Sequence, residues 1–482
     1  MLVGAGAVLV VAVLWHGRQA QARARAQGKG EGEGRRRSAE REGAGLHALE
    51  QKHLQDNACA QPYLGAVQER RALLGLGPLA VGDAGAEDAF YGAVHGSCCE
   101  MVVGRVSVPV GGAGPLRLNL ARGPWETRLP LATVEGALVA SVNRGMKALR
   151  AGGVDVLVTA HNRGMTRGPV LQAVDARHAA AMAAFLVDAR NWRDMQRAFD
   201  ASSAGGHVRL GAVRPKQVGS LLFVRIRAET GAAMGMNMLG RGCAALLAHL
   251  QATAPVFAGC RVVALSGNFC VDKKPCALNW IEGRGREVVA SARVSAARCR
   301  AVLRIAPDAL AEIARVKCLI GSAVAGSVGG FNAHVANVVA AVYLATGQDV
   351  AQVVDASQAM LLVDVDAQDG ALVASLTMPC VEAGVVGGGT GLCGGQAGWL
   401  AYLLGGCVNA GVGMGMGMGA DADADQAVKA DADADQPVEE DADLLAMCVA
   451  AGCLAGELSL LASLASGSLM EAHGQLNRRK CA

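Results

Sequence analysis

Three ionisable positions in this chain stand inside apolar, glycine-bounded segments that offer a charge little solvent. Glu135 lies in Pro130-Leu-Ala-Thr-Val-Glu-Gly-Ala-Leu-Val-Ala, Lys273 and Lys274 follow Ser266-Gly-Asn-Phe-Cys-Val-Asp272, and Asp349 comes two residues after Gly347. A carboxylate set among Leu, Val and Ala has to be paired, hydrogen-bonded or protonated, because burying it alone is costly. Taken singly, each reads first as a helix cap or a structural ion pair. Together, a Glu, a Lys and an Asp in three such settings make a candidate proton-handling site. His473 stands in an Ala/Leu/Ser-rich stretch near Arg478 and Arg479. A lone His on such a helix, like His334 and His161, reads first as a packing or surface residue.

Two further segments look built for phosphate or nucleotide contact. Gly231-Ala-Ala-Met-Gly-Met-Asn-Met238 leads into a helical pattern over Arg241–Leu250, and Gly384-Val-Val-Gly-Gly-Gly-Thr390 follows a strand and turn pattern. Glycines let backbone N–H groups approach an anion without obstruction by side chains. Neither segment fits G-x-G-x-x-G or the P-loop, and tight turns or close helix packing explain either run equally well.

The elements that must carry these residues are spread over 482 positions, too many for one ordinary domain, so two or three folded units are expected. From Leu46 to Ala410 apolar helical stretches alternate with short Val-rich runs punctuated by Gly, the pattern of a mixed α and β enzyme. No period of 20 to 50 residues recurs, which disfavours a solenoid. Gly347 is placed to terminate an apolar helix over Asn332–Thr346. A net charge of +3 with only 3% aromatics disfavours nucleic-acid binding. Fifteen Cys in apolar contexts, with no C-x-x-C pair, indicate reduced thiols rather than disulfides or a zinc site.

The ends differ from the body. Leu2–Trp15 is an uncharged apolar run of 14 residues followed by Arg18, Arg23, Arg25, Lys29 and Arg35 to Arg37. As a helix it spans about 21 Å, short of a bilayer core of about 30 Å. A signal peptide, a transit peptide and a membrane anchor compete here. The charge follows the apolar run rather than preceding it, and the run is apolar all round, so the anchor is favoured, with the remainder facing the cytosol. The expected organisation is an anchor at 1–17, a flexible basic linker at 18–45 and a helical lead-in at 46–95. A large domain follows at 96–170 and 265–410, with a small one at 171–264. An acidic low-complexity insert at 411–443 and a C-terminal segment at 444–482, with a helical pattern over Leu444–Leu469, complete the chain.

Several long motifs point further. Val108-Pro-Val-Gly-Gly-Ala-Gly-Pro-Leu, Pro130-Leu-Ala-Thr-Val-Glu-Gly, Gly164-Met-Thr-Arg-Gly-Pro, Met234-Gly-Met-Asn-Met, Asp272-Lys-Lys-Pro, Asn279-Trp-Ile-Glu-Gly-Arg-Gly, Gly321-Ser-Ala-Val-Ala-Gly, Gly347-Gln-Asp and Val386-Gly-Gly-Gly-Thr occur in that order. They closely resemble hydroxymethylglutaryl-CoA reductase of the eukaryotic, NADPH-using class. The resemblance implies an α+β fold: a large domain around a long central helix with an inserted small ferredoxin-like cofactor domain, not a Rossmann fold. It implies reduction of the HMG-CoA thioester to mevalonate and CoA with two NADPH, feeding isoprenoid and sterol synthesis. NADH is not excluded, and no metal is expected. A homotetramer at the endoplasmic reticulum membrane is implied as well.

On that resemblance Lys273 stabilises the oxyanion, Asp349 tunes it, Glu135 donates or relays protons with a raised pKa, and His473 protonates the departing CoA thiolate. Ser141, Asn143, Arg144, Lys147 and Arg304 lie along CoA. Arg167, Ser266, Asp272, Lys274, Lys317 and Asn337 hold the hydroxymethylglutaryl part. Met234, Gly235, Met236, Asn237, Asn477, Arg478, Gly206 and His207 contact the cofactor. The chain departs from the family at Ala232, where an acid is usual, and at Gly205-Gly-His207, where a Ser-Arg-Phe-like segment is usual, so cofactor choice is the transferred property in question. Arg479 stands where many relatives carry a regulatory Ser. The alternative is a weakened paralogue that binds CoA esters or partner subunits without turnover.

Overall fold

The computed structural model describes residues 49–55, 60–79, 81–159, 163–202, 207–392, 395–405 and 438–466. The expected anchor and linker, His161, Gly206, nearly all of the acidic insert, and His473, Asn477 and Arg478 lie outside these residues. Contacts divide the chain into two units, 1–106 and 107–482. In the first, helices Leu49–Gln55, Pro62–Leu73 and Ala84–Val94 pack around Leu64, Val67, Tyr91 and Val94. Asp83 caps the third by accepting from the Gly85 and Ala86 N–H groups.

The second unit carries twelve strands among the described residues: β1 (Val110–Leu120), β2 (Gly123–Ala132), β3 (Val154–Val158), β4 (Met165–Arg167), β5 (Val170–Gln172), β6 (Arg209–Val218), β7 (Leu221–Glu229), β8 (Arg261–Ala264), β9 (Arg286–Val294), β10 (Gly330–Phe331), β11 (Ala359–Val365) and β12 (Leu372–Val381). Seven form one sheet in the order β10-β11-β12-β9-β3-β1-β2. The other five form a second sheet in which β7 is central, pairing with β6 on one edge and with β4 and then β5 on the other. Gly168-Pro169 separates β4 from β5, as expected where proline cannot donate to a ladder. Each sheet has its own core. That of the second sheet is closed by helices Ala176–Val187, Trp192–Asp200 and Met236–Thr253. The described residues thus form a mixed α+β structure, as the sequence implied.

The first core is organised by the helix Val438–Ala465, 28 residues long. Cys448, Val449, Ala450, Ala451, Cys453, Leu454 and Ala455 are all fully buried, so the middle of this helix is apolar on every face and belongs inside the protein, with Glu457 and Ser459 buried beyond it. It is long and apolar enough to cross a membrane, yet 89% of its apolar window is buried here. It starts six residues before Leu444, because Val438–Asp443 continues the helix back into the stretch assigned to the acidic insert. Small residues let its neighbours come close: a Cβ on Gly145, in helix Leu138–Leu149, would lie 1.8 Å from the Ala455 carbonyl oxygen.

Candidate active site

The apolar helix Val335–Ala345 ends in a glycine cap. Thr346 is the last half-turn, Gly347 has φ +72°, and the Gln348 N–H donates back to the Tyr343 carbonyl at 2.9 Å. The turn cannot take another residue, since a Cβ on Gly347 would sit 2.1 Å from the Gly389 carbonyl oxygen. It delivers Asp349 to the start of the short helix Val350–Gln352, where Oδ1 accepts from the Ala351 N–H. Oδ2 meets Lys273 Nζ at 2.6 Å. The hydrogen bond that Lys273 donates to Asp349 raises the lysine pKa against the opposing effect of burial, and the charges of Asp349, Asp272 and Glu382 add to it. Lys273 is therefore a fixed cation at neutral pH. Its side chain is 39% exposed and that of Asp349 33%, so the pair is open to a ligand.

The loop that presents Lys273 is held by main-chain contacts. Asn268, Val271 and Lys273 have φ of 65°, 49° and 57°, the left-handed region that costs a non-glycine residue about 1–2 kcal/mol. Thr166 Oγ1 and Arg225 Nη1 donate to the Cys270 carbonyl at 2.8 and 3.0 Å, and Asn279 Nδ2 donates to that of Val271 at 2.8 Å. Below the loop lies the fully buried Arg284, with Nη1 3.0 Å from Asp272, 3.8 Å from Asp355 and 2.5 Å from Glu382. Burial pushes the Glu382 carboxyl up to about 8 and raises Asp355, in both cases against the pull of Arg284. Three carboxylates converging this closely would suit a metal ion, but the guanidinium already supplies the counter-charge.

Glu135 corrects the sequence expectation. It is exposed rather than buried, because β2 ends at Ala132 and the chain leaves the sheet before Ala137, in the left-handed region, starts the next helix. Its two oxygens accept from Asn337 Nδ2 at 3.1 and 2.9 Å, so Asn337 faces this carboxylate in the described chain. Asn337 is in the first turn of Val335–Ala345, and Asp349 follows its end. About 13 Å of helix axis separates Asn337 from Thr346. The Glu135 and Lys273 pairs thus occupy opposite ends of one helix.

Ser141 and Arg144 come together as expected, on one face of helix Leu138–Leu149, but turned toward the buried helix. Ser141 Oγ lies 3.0 Å from Ser459 Oγ, and the Arg144 guanidinium donates to the Ser459 hydroxyl and carbonyl and to Ser463. Burial lowers the Arg144 pKa, and the charge of Arg304 lowers it further, so these two cations are neighbours. Asn143 Oδ1 accepts from the Gly114 N–H at 3.0 Å, and Lys147 is exposed on the same helix. Ser266 Oγ is 3.5 Å from Cys270 Sγ, and Lys274 Nζ donates to the Asp272 carbonyl at 2.9 Å, so both belong to the lysine loop. Arg167 ends β4 and reaches toward Gly240, and its Nε is buried without a partner among the described residues. Lys317 is exposed on the irregular helix Arg315–Gly321, and no described contact joins it to Lys273.

The glycine segments interlock. Val385 N–H donates to the Ala232 carbonyl at 2.8 Å, Ala233 bridges to Val386, and Gly384 N–H donates to Gln348 Oε1 at 2.9 Å. A Cβ on Gly384 would lie 2.4 Å from Met234 N, so this glycine serves backbone packing, the plainer of the two readings of its segment. Gly387 and Gly388 face open space. Gly235, with φ +83°, begins helix Met236–Thr253 and would bring a Cβ within 2.4 Å of Thr230. Met236 Sδ accepts from Arg284, and Met234 Sδ lies 3.7 Å from Gln352 Nε2. Asn237 occupies the first turn of that helix and is exposed. A small cleft runs beside this loop, lined by Arg163, Thr230, Gly231, Met234, Arg286 and Ala383. Asp443, from the first turns of the long helix, pairs with Arg163 and, at 2.6 Å, with Arg286. His207 is exposed before β6.

Sequence reasoning passed over Asn279, Arg284, Asp355 and Glu382 as site residues. The signal was available: Arg284 lies between two glycines and Glu382 in Pro-Cys-Val-Glu-Ala-Gly, the same placement of charge in apolar sequence that singled out Glu135.

Residues 66–478 match the family model described as hydroxymethylglutaryl-coenzyme A reductase. The 3-hydroxy-3-methylglutaryl-coenzyme A reductase 1 of Dictyostelium discoideum is 40% identical over 394 residues, 81% of this chain and 64% of that protein. The reductase 3 of Oryza sativa subsp. japonica is 42% identical over 80% of this chain and 63% of its own, and the Blattella germanica reductase 43% over 80% and 41%. The chain thus spans less than two thirds of the length of these relatives. Among solved structures, the class II 3-hydroxy-3-methylglutaryl-CoA reductase from Streptococcus pneumoniae bound to NADPH superposes with a TM-score of 0.54 at 18% identity. That match covers 83% of this chain and 97% of the other, and it shows the shared fold.

Proposed function

The chain belongs to the hydroxymethylglutaryl-coenzyme A reductase family, and from that membership we propose that it reduces 3-hydroxy-3-methylglutaryl-CoA to mevalonate and CoA with two NADPH, as a step toward isoprenoids. The observation that carries the reading is the Lys273–Asp349 pair, a partly open cation fixed at 2.6 Å on a constrained loop. The thioester carbonyl becomes an oxyanion when it is reduced, and a preorganised ammonium is what such a centre needs. Asp349 keeps Lys273 charged through the reaction. Glu135, held by a neutral amide, is free to exchange protons at the aldehyde and alcohol stages. His473 is the residue we assign to protonating the CoA thiolate.

The residues around Gly235 fit a nicotinamide cofactor. The Gly231–Met236 loop leads into an 18-residue helix, and Arg163 and Arg286 line the cleft beside it. When bound, NADPH supplies the hydride for each reduction. Met234, Gly235, Met236 and Asn237 would hold it, with His207, Gly206, Asn477 and Arg478 near its phosphates. Ala232 leaves that site without the acid its motif usually begins with, which makes NADH the competitor to test. Arg167, with an Nε unpartnered among the described residues, suits the free carboxylate of the substrate, with Ser266, Asp272 and Lys274 of the lysine loop; Lys317 and Asn337 are assigned to the same group on the family resemblance alone. Arg144, Arg304, Ser141, Asn143 and Lys147 are the residues assigned to CoA, and of these Ser141 and Arg144 would have to exchange Ser459 and Ser463 for the ligand.

A homotetramer in which a second copy closes the gap between the two ends of helix Val335–Ala345 completes the reading. Exposed apolar side chains at Val316, Ile320 and Val324, spaced one turn apart, support such a contact. The Leu2–Trp15 run and the arginines after it support anchoring at the endoplasmic reticulum, with the enzyme facing the cytosol. The test is absorbance at the reduced-nicotinamide band with HMG-CoA, comparing NADPH with NADH. Two cofactors oxidised per substrate establish the reductase; none, from folded protein that still binds CoA, overturns it.

A further inference from the structure

Lys273 is gripped twice by one short stretch of chain. Its Nζ meets Asp349 at 2.6 Å, and its backbone N–H donates to Asp355 Oδ2 at 2.8 Å. The Lys274 N–H donates to the same carboxylate. Asp349 and Asp355 are six residues apart, joined by the short helices Val350–Gln352 and Val353–Ala356, so the two grips form one rigid piece. Asp355 is fully buried. Its Oδ1 accepts from Asn279 Nδ2 at 3.0 Å, the amide that also fastens the Val271 carbonyl, while Arg284 stands 3.8 Å away. A lysine at φ +57° relaxes toward ordinary backbone unless something holds its amide, and relaxation would swing Nζ away from Asp349.

We propose that Asp355 is the positioning residue of the site: by holding the Lys273 amide in the left-handed conformation, it aims the ammonium at the point where the substrate oxyanion forms. The catalytic consequence rests on the reductase reading; the clamp does not. The nearest partners of this buried acid are two backbone amides and an asparagine, whereas Arg284 lies farther from it, at 3.8 Å, than from Asp272 at 3.0 Å or Glu382 at 2.5 Å.

The experiment is competitive labelling of surface amines on the full-length protein with an isotopic acylating reagent, quantified at Lys273 against Lys274, together with steady-state kinetics. Only the neutral amine reacts, and each unit of pKa changes that fraction tenfold, so freeing Lys273 from Asp349 in Asp355→Asn should raise its labelling roughly 3–10-fold. Lys274 should not change. Misaiming by about an ångström should lower kcat by roughly 10–100-fold, with KM for both substrates within about 2-fold. Asp355→Glu, which retains the charge and both acceptors, should recover most of each loss. Should Asp355→Asn fail to fold, Asn279→Ser leaves the carboxylate in place without its orienting amide and should show the same pattern to a lesser degree. Unchanged Lys273 labelling in a folded variant overturns the clamp, and altered labelling with unchanged kcat in an active enzyme overturns the aiming role given to it. A wild-type protein without reductase activity whose Lys273 labelling still depends on Asp355 would instead sink the reductase reading and leave the clamp standing.

Discussion

The two ends of helix Val335–Ala345 carry carboxylates with opposite partners. At the first turn Glu135 is exposed and faces the neutral amide of Asn337; beyond the last, Asp349 faces the ammonium of Lys273. A carboxylate partner keeps Lys273 charged, whereas the Asn337 amide brings no charge to Glu135. The helix therefore separates two jobs that one residue cannot do well: holding charge and moving it. The difference also predicts unequal sensitivity to substitution.

The largest effect is expected at the charged end. Lys273→Ala should lower kcat by roughly 10³-fold or more, since even one lost oxyanion donor costs 10²–10³, while CoA affinity stays near that of the wild type. Near-normal turnover would remove the basis for the comparison. At the other end, Glu135→Gln keeps the shape and the contact to Asn337 yet cannot carry a proton, and a loss of roughly 10²–10³ in kcat is expected from general acid–base chemistry. If the alcohol product still forms at the wild-type rate, the proton comes from elsewhere, and the buried Glu382 becomes the next residue to test.

Much of this site was legible in the chain before any coordinates. The Gly347 terminus, the Gly-Gln-Asp turn and the charge at Lys273 follow from glycine stereochemistry and from ionisable residues in apolar settings, and the structure has them as read. The burial of Glu135 was misjudged because neighbours in sequence are not neighbours in space: Gly136 and Ala137 turn it out of the layer that Leu131 and Leu138 enter. Arg284 with its three acids was missed for the converse reason. Asp272, Asp355 and Glu382 are more than 100 positions apart at the extremes, and their convergence depends on how β12 and the lysine loop meet. The Gly384 segment looked like a phosphate cradle and packs on the Ala233–Met234 backbone, two uses of glycine that sequence cannot separate.

Below the charged end, Glu382 sharpens the comparison through pH. Its folded pKa of about 8 exceeds the ordinary value of 4.5, so between these values the native protein keeps a proton that the unfolded chain has released. Stability should then fall as pH rises across that interval, by roughly 1–3 kcal/mol after allowing for the coupling to Arg284. Urea midpoints measured from pH 5 to 8 should decline in the wild type, and Glu382→Gln should flatten the decline whatever it does to stability overall. An equal slope in the variant would mean that Glu382 is ionised throughout and that Arg284 outweighs burial. The Lys273–Asp349 pair acts in a different window. A raised lysine pKa stabilises fully below the ordinary value of 10.5 and is lost only as pH climbs through the folded value, so it adds no slope in the same window.

The smallest effect belongs to Asn337. Its amide orients Glu135 without charging it, and Glu135 is exposed while Asn337 is half-buried, so water can take over much of the contact. Asn337→Ala should lower kcat by about 3–10-fold, the worth of roughly one hydrogen bond of about 1 kcal/mol. Asn337→Lys makes the sharper test, because it gives Glu135 the kind of partner that Asp349 already has. A cation there favours the carboxylate form and weakens Glu135 as a proton donor, so kcat should fall further than in the alanine variant. If the lysine variant instead outperforms the alanine one, Glu135 works as a fixed anion, and the two ends of the helix do the same job.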